Sequence, residues 1–259
     1  MAIFDLHTIL AMAGVAVVGG LIGLDRTAAG QFMFSQPIVA APLAGWMLGD
    51  ATAGLIIGAT LEIIWVLDLP VGTYVPADAT VSSVSATAIV ALAHPGGAAS
   101  SAIGFSMLLS IGTIPFTVMA DAFVRKQNSR LFDRVCPSKG GDVARTLSRA
   151  HLSGLAMFFL KSFFLFVLFL PIGFIAVVYF ARVPAVFHRA MERFVTLLPF
   201  LGAALVVRRL SVRMLDPFLL TGFATAVVFG LVFQLPVLIV TLMTIVMGWM
   251  GVRFSEHRS

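Results

Sequence analysis

Long apolar stretches, separated by short polar or basic segments, recur from one end of the chain to the other. A helix needs roughly 20 mostly apolar residues to cross a bilayer. The pattern therefore predicts an all-α, polytopic integral membrane protein. The predicted spans lie near residues 8–24, 53–67, 79–93, 98–120, 151–181, 194–207, 214–231 and 233–251. Another apolar run, 31–49, is interrupted by Pro37 and Pro42, because proline removes a backbone donor from a helix interior.

The composition agrees with this pattern. Of 259 residues, 59% are hydrophobic and only 11% are charged, and the mean hydropathy is +1.03, which excludes an ordinary soluble domain. The first apolar run follows Asp5 and His7 rather than the basic residues of a secretory signal, so we expect a retained helix. The single cysteine, Cys136, permits no internal disulfide and no multi-cysteine metal site. We expect one membrane domain over residues 1–259.

The net charge of +5 is concentrated between the apolar runs, which points to membrane topology rather than to nucleic-acid binding. The densest basic segment covers residues 125–149, and the positive-inside rule predicts that it is a cytoplasmic loop. This segment either only sets topology and attracts anionic lipid, or also docks a soluble acidic partner. Its basic residues are Arg125, Lys126, Arg130, Arg134, Lys139, Arg145 and Arg149.

Two more basic clusters follow the long segment. Consecutive loops cannot all face the cytoplasm if every intervening run crosses the membrane once. Either the 194–207 run is re-entrant or amphipathic, or one cluster lies outside. The clusters are Arg182, Arg189 and Arg193, and then Arg208, Arg209 and Arg213.

The N-terminal half is rich in Gly, Ala, Ser and Thr, which permit close helix packing and irregular backbone. Gly54, Gly58 and Glu62 fall at i, i+4 and i+8, so a helix places them on one stripe. Two glycines on that stripe allow another backbone to approach, and we expect Glu62 to point into protein rather than lipid. A carboxylate at membrane depth costs on the order of 3 kcal/mol unless it is paired or functional, so Glu62 is either a packing residue or a binding residue.

Two aspartates precede apolar runs, where an acidic N-cap is expected. Asp50 follows Gly49 at the start of one run, and Asp78 precedes the run 79–93. The second run carries a high density of hydroxyls, and we expect such a helix to line something wet. Asp78 is therefore either a cap or a functional group. The hydroxyl residues are Thr80, Ser82, Ser83, Ser85 and Thr87.

Asp68 lies beside Pro70 and Gly72, which prevent a clean helix from continuing. We therefore predict discontinuous or re-entrant helices within 31–83, of the kind from which transporter sites are often built. Lys161 lies within a long apolar run, where it either snorkels to the interface or pairs with a buried carboxylate.

The sequence contains no catalytic motif that we recognise. The histidines are scattered and form no H-E-x-x-H pair, and "HLSGLA" at 151–156 lacks the G-x-S-x-G turn of a serine nucleophile. We therefore expect no catalytic residue, cofactor or metal. The amides of Gln31 and Gln36, with carboxylates nearby, suit a hydroxyl-rich ligand, and an aromatic ring can cover the apolar face of a sugar. The aromatic candidates are Trp46, Trp65 and Tyr74. Ion coupling would use the same carboxylates, and the residues leave both sugar binding and ion coupling open.

The stretch "GQFMFSQPIVAAPLAGWMLGDATAGLIIGATLEIIW", followed by "ADATVSS", resembles the enzyme IIC component of the mannose/fructose/sorbose family of the bacterial phosphotransferase system. The resemblance is strong over about residues 20–90 and diffuse beyond. Gln36 stands where many relatives have a basic residue, and Ala77 where a proline is common, so the sugar stays open. The matching positions are Pro37, Leu48, Gly49, Asp50, Gly54, Gly58, Thr60, Leu61, Glu62 and Asp78.

The resemblance implies a multi-pass permease subunit of the bacterial inner membrane. It would bind and translocate sugar in an oligomer with the membrane subunit IID and the soluble proteins IIA and IIB, and the soluble proteins, not this chain, would carry the phosphoryl group on histidine. The implied substrate-binding residues are Glu62, Thr60, Asp78, Gln31, Asp68 and Gln36. Residues implied in docking the phosphorylated IIB protein are Arg125, Lys126, Arg130 and Arg134.

Two other classes remain as alternatives. The first is an ion-coupled secondary transporter, in which Glu62 or Asp78 would carry a proton or sodium ion. A third hypothesis is a membrane scaffold or regulator that has kept the fold without transport. Neighbouring genes for IIA, IIB and IID components would favour the phosphotransferase hypothesis.

Overall fold

The computed structural model describes residues 4–68, 74–135, 143–210 and 216–228, with the isolated positions 239 and 246. Within these ranges the regular structure is helical, as predicted. The helices are α1 (Leu6–Leu24), α2 (Pro37–Met47), α3 (Ala51–Trp65), α4 (Ala79–Ala93), α5 (Ser100–Gly112), α6 (Ile114–Val135), α7 (Val143–Phe180), α8 (Ala185–Leu210) and α9 (Asp216–Val227).

Four helical stretches are long and apolar enough to cross a membrane, which confirms the prediction of a multi-pass membrane protein. They are Leu6–Leu24, Ser100–Asp133, Ala144–Phe180 and Ala185–Arg209. Of the last two predicted spans, 214–231 contains α9, whereas 233–251 lies outside the continuously described residues. Cys136, Pro70 and Gly72 also lie outside them.

Three short apolar helices, α2, α3 and α4, occupy the predicted discontinuous region. They contain 11, 15 and 15 residues, fewer than the roughly 20 that a simple span needs. Pro37 lies at the start of α2, where its missing N–H costs nothing, but Pro42 lies inside α2 and does not end it. The prediction that Pro42 interrupts the run is therefore wrong. Residues 74–78 are not helical and lead into α4.

The glycine stripe of α3 packs on the backbone of α2, as the spacing predicted. A Cβ at Gly54 would lie 2.5 Å from the Ala41 carbonyl oxygen, and one at Gly58 would lie 2.5 Å from the Pro37 carbonyl oxygen. Both glycines are buried. The absence of side chains on this stripe is what allows the two backbones to lie in contact.

Helix α4 lies at the centre of the first compact unit and contacts α1, α2, α3, α5 and α7. Its five hydroxyl side chains are all buried, and several bond backbone carbonyls, for example Thr87 to Ser83 O at 2.9 Å. The prediction that this helix lines something wet is therefore wrong for the helix as a whole, because its hydroxyls are buried within the helix bundle and four of the five bond backbone carbonyls there; Ser85 Oγ has no partner among the described residues. Its first turn, with Thr80, is the part that borders a cavity.

The segment 125–149 is largely helical rather than a loop. Helix α6 continues to Val135 and α7 begins at Val143. Arg125, Lys126 and Arg130 therefore lie on a helix, where residues four apart share a face. The described chain divides into two compact units, Met1–Ala203 and Ala204–Ser259; the second contains the end of α8 and α9.

Candidate functional site

A cavity of about 370 Å³ lies where α1 ends and where α2 and α4 begin. Its volume is within the range of about 300–1,000 Å³ that is usual for small-molecule sites. We call it the polar cavity. It is lined by Asp25, Arg26, Gln31, Met33, Ser35, Gln36, Trp65, Val66, Asp68, Ala77, Ala79 and Thr80.

Asp25 shapes one wall of the polar cavity. Its Oδ1 accepts from the Phe32 N–H at 2.6 Å and its Oδ2 accepts from the Ser35 N–H at 3.1 Å. Gln31 and Met33, on either side of Phe32, have φ values of 57° and 69°, in the left-handed region that non-glycine residues rarely adopt. A buried carboxylate thus holds a strained turn, and such strain is typical of binding segments.

Three of the six predicted substrate-binding residues meet in this cavity. Gln31, Gln36 and Asp68 all line it, with Trp65 beside them. The Asp68 carboxylate also accepts a hydrogen bond from the Tyr74 hydroxyl at 3.0 Å. Trp46, at the far end of α2, is 74% exposed and does not line the polar cavity.

Glu62 lies next to this cavity without lining it. The Glu62 Oε2 accepts from the Ile38 N–H at 3.2 Å, in the first turn of α2. Gln36, the N-cap residue of α2, makes no side-chain capping bond, so the carboxylate of α3 caps α2 instead. Glu62 is half-buried and faces protein on this side, as predicted. Thr60 is buried and does not line the polar cavity.

Both acidic caps predicted from the sequence are present. Asp50 Oδ1 accepts from Ala53 N at 2.9 Å, and Asp78 Oδ1 accepts from Val81 N at 3.2 Å. Asp78 has a second role, because its Oδ2 lies 2.8 Å from the Lys161 ammonium. The snorkelling alternative for Lys161 is therefore wrong, and the buried-partner alternative is confirmed.

Lys161 belongs to a chain of charges that joins four parts of the fold. Its Nζ also donates to Asp121 Oδ1 at 3.1 Å, and Asp121 Oδ2 accepts from Arg125 Nε at 2.6 Å. At the other end, Arg26 Nη1 lies 3.5 Å from Asp78 Oδ1. We call these five residues the charge network.

Sequence reasoning missed Asp25, Arg26 and Asp121. The only available signals were an acid–base pair directly after the first span and the i, i+4 spacing of Asp121 and Arg125. Neither signal identifies Lys161 as a partner, because Lys161 is 40 residues from Asp121 and 83 residues from Asp78 in the sequence.

A second charged feature lies on α6. Lys126 and Arg130 are exposed and stand four residues apart, and Arg134 continues the same spacing along the helix. We call these three residues the basic stripe. Arg125, the fourth predicted docking residue, is partly engaged with Asp121, and its side chain is 38% exposed.

Comparison with known families gives a match that covers most of the chain. The family model described as "PTS system sorbose-specific iic component" matches residues 9–250.

Individual relatives match at lower identity or over shorter segments. The "PTS system mannose-specific EIIC component" of Escherichia coli (strain K12) is 39% identical over 64 residues, which are 25% of this chain and 24% of that protein. The match thus spans about a quarter of the length of the mannose-specific relatives. The "Fructose permease IIC component" of Bacillus subtilis (strain 168) is 26% identical over 224 residues, which are 86% of this chain and 79% of that protein.

Two solved structures share the fold. One, titled "Structure of membrane protein", has a TM-score of 0.71 at 22% identity and covers 96% of both chains. Another, titled "CryoEM Structure of Mannose Transporter ManYZ and Microcin E492 (MceA) complex", has a TM-score of 0.52 at 22% identity and covers 98% of this chain and 96% of that chain.

Proposed function

Because this chain belongs to the sorbose-specific IIC family of the bacterial phosphotransferase system, we propose that it is the sugar-binding and sugar-translocating membrane subunit of a mannose-type system. Residues 1–259 would form its permease domain in the bacterial inner membrane. The relatives named for mannose and fructose support a sugar as the substrate.

The observation that carries this proposal is the chemistry of the polar cavity. A sugar presents many hydroxyls, each of which both donates and accepts. The amides of Gln31 and Gln36 match that pattern because each has donors and an acceptor, and the Asp68 carboxylate is an acceptor. The indole of Trp65 supplies an apolar face beside them.

Glu62 and Asp78 are proposed to support sugar binding from the edges of the cavity. Glu62 caps the helix whose N-cap residue, Gln36, lines the cavity. Asp78 lies directly after Ala77 of the cavity wall. Thr60, which is buried in α3, would act through that helix rather than on the sugar.

We propose that the chain works with the membrane subunit IID and with soluble IIA and IIB proteins. The fold shared with a structure of the mannose transporter ManYZ supports a membrane partner. The basic stripe supports a docking face for IIB, because a positive surface attracts a partner that carries phosphate. Phosphoryl transfer would occur on those partners, and this chain would present the sugar.

Direct sugar binding tests the proposal. Gln36→Ala is a clean variant, because the Gln36 side chain makes no helix-capping bond. Loss of its hydrogen bonds to the sugar should weaken binding about tenfold, which corresponds to roughly 1.4 kcal/mol. Radiolabelled mannose, fructose and N-acetylgalactosamine should be offered to the purified protein with its IID subunit.

Trp46→Phe, at the opposite end of α2, is the control and should bind like the wild type. Failure of the wild type to bind any of the three sugars would contradict the proposal.

A second assay separates this proposal from an ion-coupled transporter. In cells, a phosphotransferase subunit delivers sugar phosphate and requires its soluble partners, whereas an ion-coupled carrier accumulates unmodified sugar. We expect uptake to stop when IIB is deleted and to persist when the ion gradients are collapsed. The reverse result would support the ion-coupled alternative. Asp78 already pairs with Lys161 and Arg26, which disfavours it as a freely exchanging ion carrier.

A further inference from the structure

The charge network contains more charged groups than a single salt bridge. It places two carboxylates, Asp78 and Asp121, within 3.1 Å of one ammonium, that of Lys161. These three residues are buried, with 2%, 4% and 9% of their surfaces exposed. Ionised groups at such depth are costly and persist only when they are closely paired.

The network holds the wall of the polar cavity through Asp78 and Arg26. Both Asp78 oxygens are occupied, Oδ1 by Val81 N and Arg26 and Oδ2 by Lys161. Arg26 in turn donates to the carbonyls of Pro76 and Ala77, at 3.2 and 2.6 Å. Those carbonyls belong to the non-helical stretch 74–78, whose Ala77 lines the cavity.

Irregular backbone within a membrane protein is stable only where its polar groups find partners. Here Arg26 supplies two of those partners, and Asp78 helps to fix the position of Arg26. The Asp78 carboxylate is fixed in turn by Lys161, which reaches it from α7. The geometry of the cavity wall therefore depends on a lysine that does not itself line the cavity.

We propose that Lys161 is a positioning residue for the sugar cavity: it holds the Asp78 carboxylate, through which Arg26 and the 76–77 carbonyls keep the binding geometry. Asp121 has a different role, since it is a second carboxylate on the Lys161 ammonium and fixes that ammonium from the side of α6. This inference rests on the proposed function of the polar cavity as the sugar site.

The two roles predict different effects for variants that lack Asp121 alone and variants that lack both Asp121 and Lys161. Asp121→Asn leaves Lys161 on Asp78, so the cavity wall keeps its support. Lys161→Met combined with Asp121→Asn removes one positive and one negative charge, so the buried charge stays balanced while Asp78 loses its ammonium. If the network only stabilises the fold, the double variant should behave like Asp121→Asn.

The test measures membrane level and sugar-phosphorylation kinetics for the wild type, Lys161→Met, Asp121→Asn and the double variant, each with its IID, IIA and IIB partners. We expect Lys161→Met alone to accumulate poorly, because it leaves two buried carboxylates without the ammonium that they share. The double variant should accumulate at the level of Asp121→Asn, yet show a KM for sugar at least tenfold higher with little change in kcat per folded molecule.

Several outcomes would overturn the positioning role. An unchanged KM in the double variant would reduce Lys161 to a structural ion pair, as would a fall in membrane level alone. If the double variant does not accumulate, Lys161→Gln with Asp121→Asn replaces it, since glutamine is polar enough to be tolerated beside Asp78 but is shorter and uncharged, and so cannot fix the Asp78 carboxylate as the ammonium does. The same rise in KM is expected, and an unchanged KM refutes the inference.

The result also distinguishes this inference from the proposed function. If the wild type neither binds nor phosphorylates any of the sugars tested, the proposed function fails. If the wild type is active and the double variant matches Asp121→Asn in KM, the sugar site stands and only the role of Lys161 is refuted.

Discussion

At the scale of single residues, the acidic side chains of the N-terminal half act mainly on backbone N–H groups. Asp25 accepts hydrogen bonds from the Phe32 and Ser35 N–H groups, and Glu62 accepts one from the Ile38 N–H group. Carboxylates accept strong hydrogen bonds from such donors. The backbone around the polar cavity is therefore fixed by charged side chains rather than by regular structure alone.

Glu62 can be tested for a binding role separately from its capping role. Glu62→Gln keeps an acceptor oxygen for Ile38 N, and the lost charge at a helix N-terminus should cost only about 0.3–1 kcal/mol. We expect this variant to remain folded and to bind sugar at least tenfold more weakly, because at the edge of the polar cavity an amide oxygen is a weaker acceptor for a sugar hydroxyl than a carboxylate is; radioligand binding and thermal stability in detergent measure the two effects.

Glu62→Ala provides the comparison, because it loses the cap as well and should cost about 0.5–2 kcal/mol of stability. Unchanged sugar affinity in Glu62→Gln would leave Glu62 with a packing role.

At the scale of elements, the backbones of α2 and α3 are in direct contact beside the site. The contact depends on the lack of side chains at Gly54 and Gly58. This contact brings Glu62 of α3 to the first turn of α2 and so places Gln36 at the cavity. Helix packing and site geometry are thus coupled through the same stripe.

Gly58→Ala should disturb this contact. The new Cβ would lie 2.5 Å from the Pro37 carbonyl oxygen, so the backbone must move. We expect a loss of about 1–3 kcal/mol, as for overpacked cores, together with weaker sugar binding.

Gly14→Ala is the matched control, because a Cβ there has nothing within 4 Å in the described structure, and alanine favours a helix by roughly 0.5–1 kcal/mol. Equal thermal stability of the two variants would show that the α2–α3 contact tolerates a side chain.

At the scale of the first compact unit, the charge network links the polar cavity to α6, the helix that carries the basic stripe. The charge network connects Arg26 at the cavity to Arg125, one residue before the stripe begins. The positive-inside rule predicts that the stripe faces the cytoplasm.

Removing the same number of charges from α6 or from α7 tests docking separately from topology. Lys126→Gln with Arg130→Gln removes two positive charges from the basic stripe, and Arg145→Gln with Arg149→Gln removes two from the start of α7. Topology depends on the summed charge, so both pairs should keep the same orientation. We expect only the first pair to raise the KM for phosphorylated IIB, severalfold at low salt and less at high salt.

Equal effects from both pairs would show that position on the helix does not matter. Cysteine labelling that places these residues outside the cell would refute both the orientation and the docking proposal.

The sequence by itself was enough for the features that depend on local order along the chain. Apolar runs predicted a multi-pass helical protein, and the i, i+4, i+8 spacing predicted the stripe of Gly54, Gly58 and Glu62. The residues before two apolar runs predicted the caps at Asp50 and Asp78. These features follow from helical periodicity and from the unsatisfied N–H groups of a helix start, which need no knowledge of distant residues.

Only the tertiary structure decided which charged groups meet. Lys161 and Asp78 are 83 residues apart, and Glu62 bonds a backbone N–H 24 residues away. The hydroxyls of α4 looked suited to a wet surface, yet the surrounding helices bury them. The cost of an unpaired charge at membrane depth requires that it find a partner, but helix packing determines which partner that is.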